Sequence, residues 1–216
     1  LKQFKNSDGL VKDEYLMPID CPCCGGNQHL ESKKNNGFKI SKCQHCGTEF
    51  VNPTFLPEHL EAYYSGEARG QYWRVIGAPT SQKNRMEKIW KPRVFDIVSR
   101  IENFDADQAK KAVLDVGCAT GQFLSFWDKK EWNVEGVEPS KVLAEMASQS
   151  LAHASIHNQV FETFTANENS YDVITMWEVL EHVTSPFEVL RKTSNLIKPG
   201  GIVVVSVPNL SGFDVN

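Results

Sequence analysis

No stretch of this 216-residue chain is apolar enough to read as a membrane span. The longest uninterrupted aliphatic run, Ile202 to Val205, falls far short of the roughly 18 residues a membrane helix needs. The N-terminus has no apolar secretory core, and it opens on Leu1 rather than Met, which reads as a processed chain or a fragment. Surplus positive charge is also missing. Twenty-three basic against 27 acidic residues leave a net charge of −4 and a pI near 5.9, whereas phosphate backbones and anionic bilayers call for a basic face. These absences lead to the expectation of a cytoplasmic protein without membrane contact and without general nucleic-acid binding. With 41% apolar and 23% charged residues the chain is not disordered, and its length suits one ordinary globular domain plus a small appendage.

Cysteine is nearly absent outside one short region. Five of the six lie between residues 21 and 46, and Cys118 stands alone. Cys21-Pro-Cys-Cys24-Gly and Cys43-Gln-His-Cys46-Gly are two Cys-x-x-Cys knuckles 18 residues apart, the spacing of a zinc ribbon. Gly25 and Gly47 permit the tight turn each knuckle needs, and Cys21, Cys24, Cys43 and Cys46 complete a closed tetrahedral shell around one structural zinc ion. Cys23 is the spare thiol and His45 a bystander. A pair of disulfides is the competing reading, but nothing suggests an oxidising compartment. Residues 1–60 hold seven lysines and seven acids, so the lysines between the knuckles read as a solvated face.

Val51 to Pro57, with two prolines, marks a boundary. Helical spacing is expected over 58–64 and again from Ser81 through Met86, Ile89, Trp90, Val94, Ile97, Val98 and Ile101, with Pro92 kinking or splitting the helix. Tyr72, Trp73 and Arg74, in the loop between, are packing residues or a lid.

From residue 111 apolar strands alternate with amphipathic helices. Strands are expected at Ala112–Val116, Trp132–Val137, about 154–158, Tyr171–Trp177 and 202–207. A helix carrying Phe123, Leu124 and Trp127 follows the first strand. A second helix is capped by Ser140, and a third is opened by the capping box Ser185-Pro-Phe-Glu188 and ended by Lys198-Pro-Gly-Gly201. Such alternation implies a parallel sheet covered on both faces, with ligands beyond the carboxyl ends of its strands. Asp115-Val-Gly117-Cys118-Ala119-Thr120-Gly121 closes the first strand, and Glu138 closes the second 23 residues after Asp115, where a carboxylate can accept ribose hydroxyls. The dinucleotide fingerprint fails, because Ala119 and Gln122 occupy its second and third glycine positions. An acid two residues before the first glycine suits a cationic ligand better than a pyrophosphate. Cys118 contributes its backbone while its thiol packs, Trp127, Trp132 and Phe187 read as core or helix–sheet contacts, and Asp172 as a local cap.

Val113-Leu-Asp-Val-Gly-Cys-Ala-Thr-Gly121, Val137-Glu-Pro-Ser140, Tyr171-Asp-Val-Ile-Thr-Met-Trp-Glu-Val-Leu-Glu-His-Val183 and Leu196-Ile-Lys-Pro-Gly-Gly201 resemble the motifs of class I S-adenosylmethionine-dependent methyltransferases. More loosely, the knuckles followed by Phe50-Val-Asn-Pro53 resemble zinc-ribbon methyltransferases of bacterial sugar, surface-polysaccharide and natural-product pathways. The resemblance implies an α/β, Rossmann-like fold with about five parallel strands, C-terminally incomplete because the family normally has seven, behind an N-terminal zinc ribbon. The domains would be 1–52, the ribbon; 53–110, a helical connector or lid; and 111–216, the cofactor domain lacking its last two strands.

The resemblance further implies that the backbone of Gly117, Cys118 and Ala119 holds the methionine part of S-adenosylmethionine, oriented by Asp115. Glu138 would bind the ribose, Pro139 would line the adenine pocket, and Gln159 and Val160 would meet the adenine edge. Gly121 and Trp177 complete the expected cofactor set. The family commonly has an acid near the adenine, where this chain offers Asn158 and Gln159. The expected acceptor is a small polar molecule such as a sugar or nucleotide-sugar, methylated on oxygen. The alternatives are an RNA methyltransferase guided by the ribbon and a non-catalytic cofactor-binding or assembly module.

Methyl transfer is an in-line displacement in which alignment can supply roughly 7 to 11 kcal/mol, and an oxygen acceptor also needs a proton removed. Glu178, Glu181 and His182 share one face of a helical turn by their spacing. His182 is the expected general base. A divalent metal on these three residues is a less favoured reading, taken from the E-x-x-E-H pattern of some small-RNA and quinone O-methyltransferases. The bland alternative is that Glu181 and His182 brace neighbouring loops.

Overall fold

The computed structural model describes residues 4–60, 83–101, 110–128 and 131–208. The chain divides into two compact units, one of Leu1–Tyr63 with Thr184–Glu188 and one carrying a parallel sheet. Tyr72, Trp73 and Arg74, and most of the helix expected over 58–64, lie outside the described residues.

In the N-terminal unit, β1 (Leu16–Met17) pairs antiparallel with β5 (Thr54–Phe55). β2 (His29–Asn35), β3 (Phe38–Cys43) and β4 (Glu49–Val51) form an antiparallel sheet. The β2–β3 connection is the two-residue turn Asn36-Gly37, whose positive φ values of 50° and 86° match the right-handed twist of the strands it joins. Each knuckle folds as its glycine dictates: Gly25 N–H donates to Cys21 C=O at 2.8 Å and Gly47 N–H to Cys43 C=O at 3.0 Å. The cluster at the knuckles is small, Cys21, Cys43 and Phe50 with Ile19 against them, and Phe55 is buried separately against Phe4 and Phe38.

The larger unit holds β6 (Lys111–Val116), β7 (Trp132–Val137), β8 (Ala154–His157), β9 (Tyr171–Trp177) and β10 (Ile197–Ser206), all parallel, in the order β10-β9-β6-β7-β8. The order reverses between β6 and β9, which opens a crevice beyond their carboxyl ends. Successive side chains on a strand point to opposite faces. Val113, Val134 and Val173 therefore meet Trp90, Ile97, Ile101, Phe123, Leu124 and Trp127 on one face, while Leu114, Val116, Ile174 and Met176 meet Val189, Leu196, Phe161 and Phe164 on the other. Both faces are buried, which explains why these strands read as continuous apolar runs.

Several local expectations change. Pro92, lacking an N–H, follows a π-helical segment, Met86–Trp90, that leads into α1 (Lys91–Ile101), so the proline is absorbed by a widened turn. The helix expected to carry Phe123, Leu124 and Trp127 is only a 3₁₀ turn, Leu124–Phe126, although all three side chains are buried. Two side chains draw the main chain away from helix there. Ser125 Oγ donates to Gln122 C=O at 2.7 Å, and the Asp128 carboxylate accepts the N–H groups of Ala152 and His153, both at 2.7 Å. α2 (Lys141–Ser150) begins after Ser140, but that hydroxyl makes no cap bond and is buried without a hydrogen-bond partner. α3 (Pro186–Leu196) starts at its proline, and Phe187, expected in the core, is 61% exposed. Lys198 to Gly201 forms a register shift inside β10 instead of a clean break. Asp172 accepts from Ala112 N–H at 2.7 Å and Lys198 Nζ at 2.8 Å, and so ties strands together.

Candidate active site and metal centre

The four sulfurs of Cys21, Cys24, Cys43 and Cys46 all lie within 4.8 Å of one another. Two of the gaps, Cys21–Cys46 and Cys24–Cys43, are 3.6 Å. A tetrahedral zinc with bonds of about 2.3 Å sets its sulfurs roughly 3.8 Å apart, so the four thiols fit one zinc ion and leave no open position for chemistry. Thr48 holds the Cys46 thiol down, at about 6. Gly26 pulls Cys24 down, but its neighbouring thiols and burial outweigh this and push it up to about 12. Such a split is what four close thiols show when they cannot all ionise without a cation. Cys23 and His45 are outside the group.

At the carboxyl end of β6 the chain turns sharply. Gly117, Ala119 and Gly121 have φ of 72°, 49° and 76°. Gly117 and Cys118 both donate to Val137 C=O, at 2.7 and 3.2 Å, which pins the turn to the end of β7. A Cβ on Gly117 would stand 2.5 Å from Val179 Cγ2, so the glycine is required by packing as well as by φ. The Cys118 thiol is buried, as expected, and its pKa is raised by that burial.

Asp115 is buried and accepts a hydrogen bond from Thr175 Oγ1 at 2.6 Å, from the adjoining residue of β9. Burial pushes its carboxyl up to about 7; the Thr175 bond works against this and the charge of Glu138 adds to it. Glu138 is also buried, and its two oxygens accept from Ala119 N–H at 3.0 Å and Ser140 N–H at 2.8 Å. A carboxylate accepts at about four lone-pair positions, so these bonds do not exhaust it. Asn158 Nδ2 donates to the carbonyls of Glu138 and Pro139, at 2.9 and 3.0 Å, bracing the segment that holds the acid. Gln159 and Val160 follow and are half-buried.

Beyond β9, Glu178 adopts a positive φ of 54°, and its N–H and carboxylate are both bonded to Ser206, at the end of β10. Glu181 and His182 lie in a 3₁₀ turn, Leu180–His182, with His182 Nε2 3.8 Å from Glu181 Oε1. Burial raises the Glu181 carboxyl, and the neighbouring Glu178 raises it further. Two carboxylates and an imidazole thus come together, but not as a ligand set. Among the described residues, the four cysteines are the only group whose ligand atoms converge on one point. Trp177, the last residue of β9, packs on Trp90 and Phe123, and its buried indole N–H has no partner among the described residues.

Residues 86–215 match the family model described as "Methyltransferase domain". The chain belongs to the methyltransferase-domain family. Proteins of Vibrio parahaemolyticus serotype O3:K6 and Serratia proteamaculans, each named a ubiquinone biosynthesis O-methyltransferase, are 35% and 36% identical to it over 104 residues. Those residues are 46% of this chain, and they cover 44% and 43% of the two relatives; the chain thus spans under half the length of the curated proteins it matches. A Methanococcus maripaludis protein, provisionally described as an S-adenosyl-L-methionine-dependent methyltransferase, shares the fold at a TM-score of 0.54 and 14% identity, over 65% of this chain and 63% of its own.

A methyltransferase of this class uses S-adenosylmethionine, and features of this structure fit that ligand. The crevice at the switch point is lined by an open-φ turn, a buried acid at the end of β6 and another at the end of β7. Among the described residues the buried Ser140 hydroxyl, two residues after Glu138, lacks a partner, as a polar group awaiting a polar ligand would. Three supporting residues escape a reading along the chain. Thr175 faces Asp115 only through strand register, Val179 covers Gly117 only through packing, and Gly136 is required because a Cβ would stand 2.6 Å from Cys118 Sγ. Only an isolated glycine inside a strand hinted at the last.

Proposed function

We propose that this methyltransferase transfers a methyl group from S-adenosylmethionine to a hydroxyl of a small polar metabolite, such as a sugar or nucleotide-sugar, in the bacterial cytoplasm. The observation that carries the reading is the pair of buried acids, Asp115 and Glu138, standing on either side of the Gly117–Gly121 turn at the switch point. Bound there, the cofactor supplies a sulfonium-activated methyl group. The backbone from Gly117 to Ala119 borders its methionine part, Asp115 orients the amino group, and Glu138 takes the ribose. Pro139, Gln159 and Val160 line the base. With Asn158 engaged in bracing Glu138 and Pro139, Gln159 is the polar side chain left for the adenine edge.

Removal of the acceptor proton falls to His182, which would take it as the methyl carbon exchanges its bond to sulfur for one to the acceptor oxygen, leaving a neutral thioether. Glu181, 3.8 Å away, stabilises the resulting imidazolium, and Glu178 fixes the turn through Ser206. In this reading the ribbon, 1–52, is a scaffold, 53–110 a connector, and 111–216 the cofactor domain. Two of the ribbon's lysines are paired with acids, Lys33 with Glu49 and Lys39 with Glu31, which favours a small acceptor over RNA.

The test is calorimetry with S-adenosylhomocysteine, followed by transfer of isotope-labelled methyl to a pool of hydroxylated metabolites. Saturable cofactor-product binding and label in a hydroxyl ether are expected, with His182→Ala slowing turnover by about 10²–10⁴ at unchanged cofactor affinity. Label found only on nitrogen or carbon would remove the O-methylation reading, and absence of S-adenosylhomocysteine binding would remove the cofactor reading.

A further inference from the structure

Glu135 is an acid in the middle of β7, on the face where Val137, Leu114, Ile174 and Phe164 are buried, and its side chain is only 29% exposed. A charged group in such a face is costly unless it is hydrogen-bonded, and a valine would fill the position without that cost. The acid is satisfied from both sides. His157 Nε2–H donates to Glu135 Oε2 at 2.9 Å from β8, and the Tyr171 hydroxyl donates to the same carboxylate from β9. Burial holds the Tyr171 proton, and the Glu135 charge holds it further.

His157 is where the sheet meets the segment proposed above for the adenine. It ends β8, and its C=O accepts from Glu138 N–H at 3.0 Å and from Gln159 N–H at 3.1 Å. Its ring meets that of the buried Phe164 edge-on, with centres 5.0 Å apart. Phe164 in turn stacks on Phe161 at 6.2 Å, and the turn between them closes through Thr163 N–H to Val160 C=O and Phe164 N–H to Phe161 C=O, both at 3.2 Å. Lys192, on α3, donates to the carbonyls of Phe161 and Glu162 at 2.6 and 3.0 Å. The segment is thus held by Lys192 at its middle and by His157 at both ends: the main chain at Gln159, the ring at Phe164. A carboxylate partner fixes the tautomer and orientation of an imidazole, which packing against Phe164 alone would not require.

We propose that His157, oriented by Glu135, is a positioning residue for the nucleoside end of the cofactor: the pair fixes the segment 159–164 against β8 and thereby sets where Gln159 and Val160 meet the base. The inference rests on the cofactor reading and adds to it a residue that acts through the segment rather than on the ligand.

The zinc-loaded chain is followed by amide hydrogen exchange without ligand and by calorimetry with S-adenosylhomocysteine. His157→Leu keeps an apolar body against Phe164 and gives up the bond to Glu135, whereas His157→Gln can still donate an N–H to that carboxylate. In His157→Leu and Glu135→Leu the amides of 159–164 should exchange about tenfold faster or more, with those of 112–116 unchanged, and S-adenosylhomocysteine affinity should fall by a similar factor. The double leucine variant should lose no more than either single one. His157→Gln should stay within about threefold of the native chain. A side chain that merely packs would give the reverse order, with leucine tolerated and glutamine not, and that order overturns the proposal. So do native exchange and affinity in both leucine variants, and so does loosening that spreads to 112–116, which would make the pair a general stabiliser. Faster exchange at 159–164 in variants of a chain that binds no S-adenosylhomocysteine supports the hold on the segment and removes the cofactor reading. S-adenosylhomocysteine bound equally by every variant leaves that reading standing and overturns the proposal.

Discussion

The carboxylate of Glu138, at the end of β7, accepts the main-chain N–H of Ala119, in the turn after β6, at 3.0 Å. One side chain thereby sets the shape of the turn at the carboxyl end of β6, and it is the side chain proposed above for the ribose. Its second oxygen holds Ser140 N–H at 2.8 Å, so the acid also fixes the start of α2.

Glu138→Gln should therefore fail in two measurements. The amide keeps one acceptor and aims an NH₂ group at a backbone N–H. A loss of about 1–3 kcal/mol in unfolding free energy is expected from denaturant titration. S-adenosylhomocysteine affinity should drop by tenfold or more. Full affinity in a normally folded variant would contradict the ribose assignment.

Gly136→Ala adds a methyl group that would sit 2.6 Å from Cys118 Sγ, 2.9 Å from Leu124 Cδ1 and 3.0 Å from Ile156 Cδ1. A destabilisation of about 1–3 kcal/mol is expected from this overpacking. Adding Cys118→Ala removes the nearest obstacle and should recover part of the loss in a double-mutant cycle. Additive effects of the two changes would show that the thiol is not the obstacle.

Asp115 gives a pH dependence with a defined sign. Its folded pKa, about 7, lies above the ordinary value of 3.8, so the folded state binds the proton more tightly than the unfolded chain. Its contribution to stability is fully present below about pH 4 and is lost as pH rises toward 7. Asp115→Asn keeps an acceptor for Thr175 and should raise the melting temperature at pH 8 but not at pH 4. A bound ammonium group favours the ionised acid, so cofactor-product affinity should climb between pH 6 and 8 in the native chain. That climb should flatten in the variant. A parallel melting-temperature difference at all pH values would rule out this titration.

Zinc analysis should find one ion per chain. Cys43→Ser should lose it together with the antiparallel pairing around β3, read as amide protection, whereas Cys23→Ser should keep both. Chelation should reproduce the Cys43→Ser result, because the apolar cluster at the knuckles, Phe50 and Ile19 around Cys21 and Cys43, is too small to hold β2–β4 without metal.

Much of this architecture was legible along the chain because it rests on short-range rules. Apolar runs at 112–116 and 171–177 read as strands buried on both faces, Cys-x-x-Cys followed by glycine reads as a knuckle, and the order of strand, turn and acid set Asp115 and Glu138 at the carboxyl ends of β6 and β7. The 3₁₀ turn at Leu124–Phe126 was not legible, since Asp128 ends it by capturing N–H groups 24 and 25 residues away. Nor was the splitting of Glu178 from a helical turn with Glu181 and His182, because Glu178 is bonded to Ser206, 28 residues on. The amino-acid sequence by itself determined the cysteine knuckles, the parallel sheet and the two acids at the ends of β6 and β7, all of which follow from the spacing of neighbours. Only the tertiary structure decided that Thr175 faces Asp115, that Val179 seals Gly117 and that Glu135 holds His157. Each of these depends on strand register and packing between elements far apart in the chain, which no local periodicity encodes.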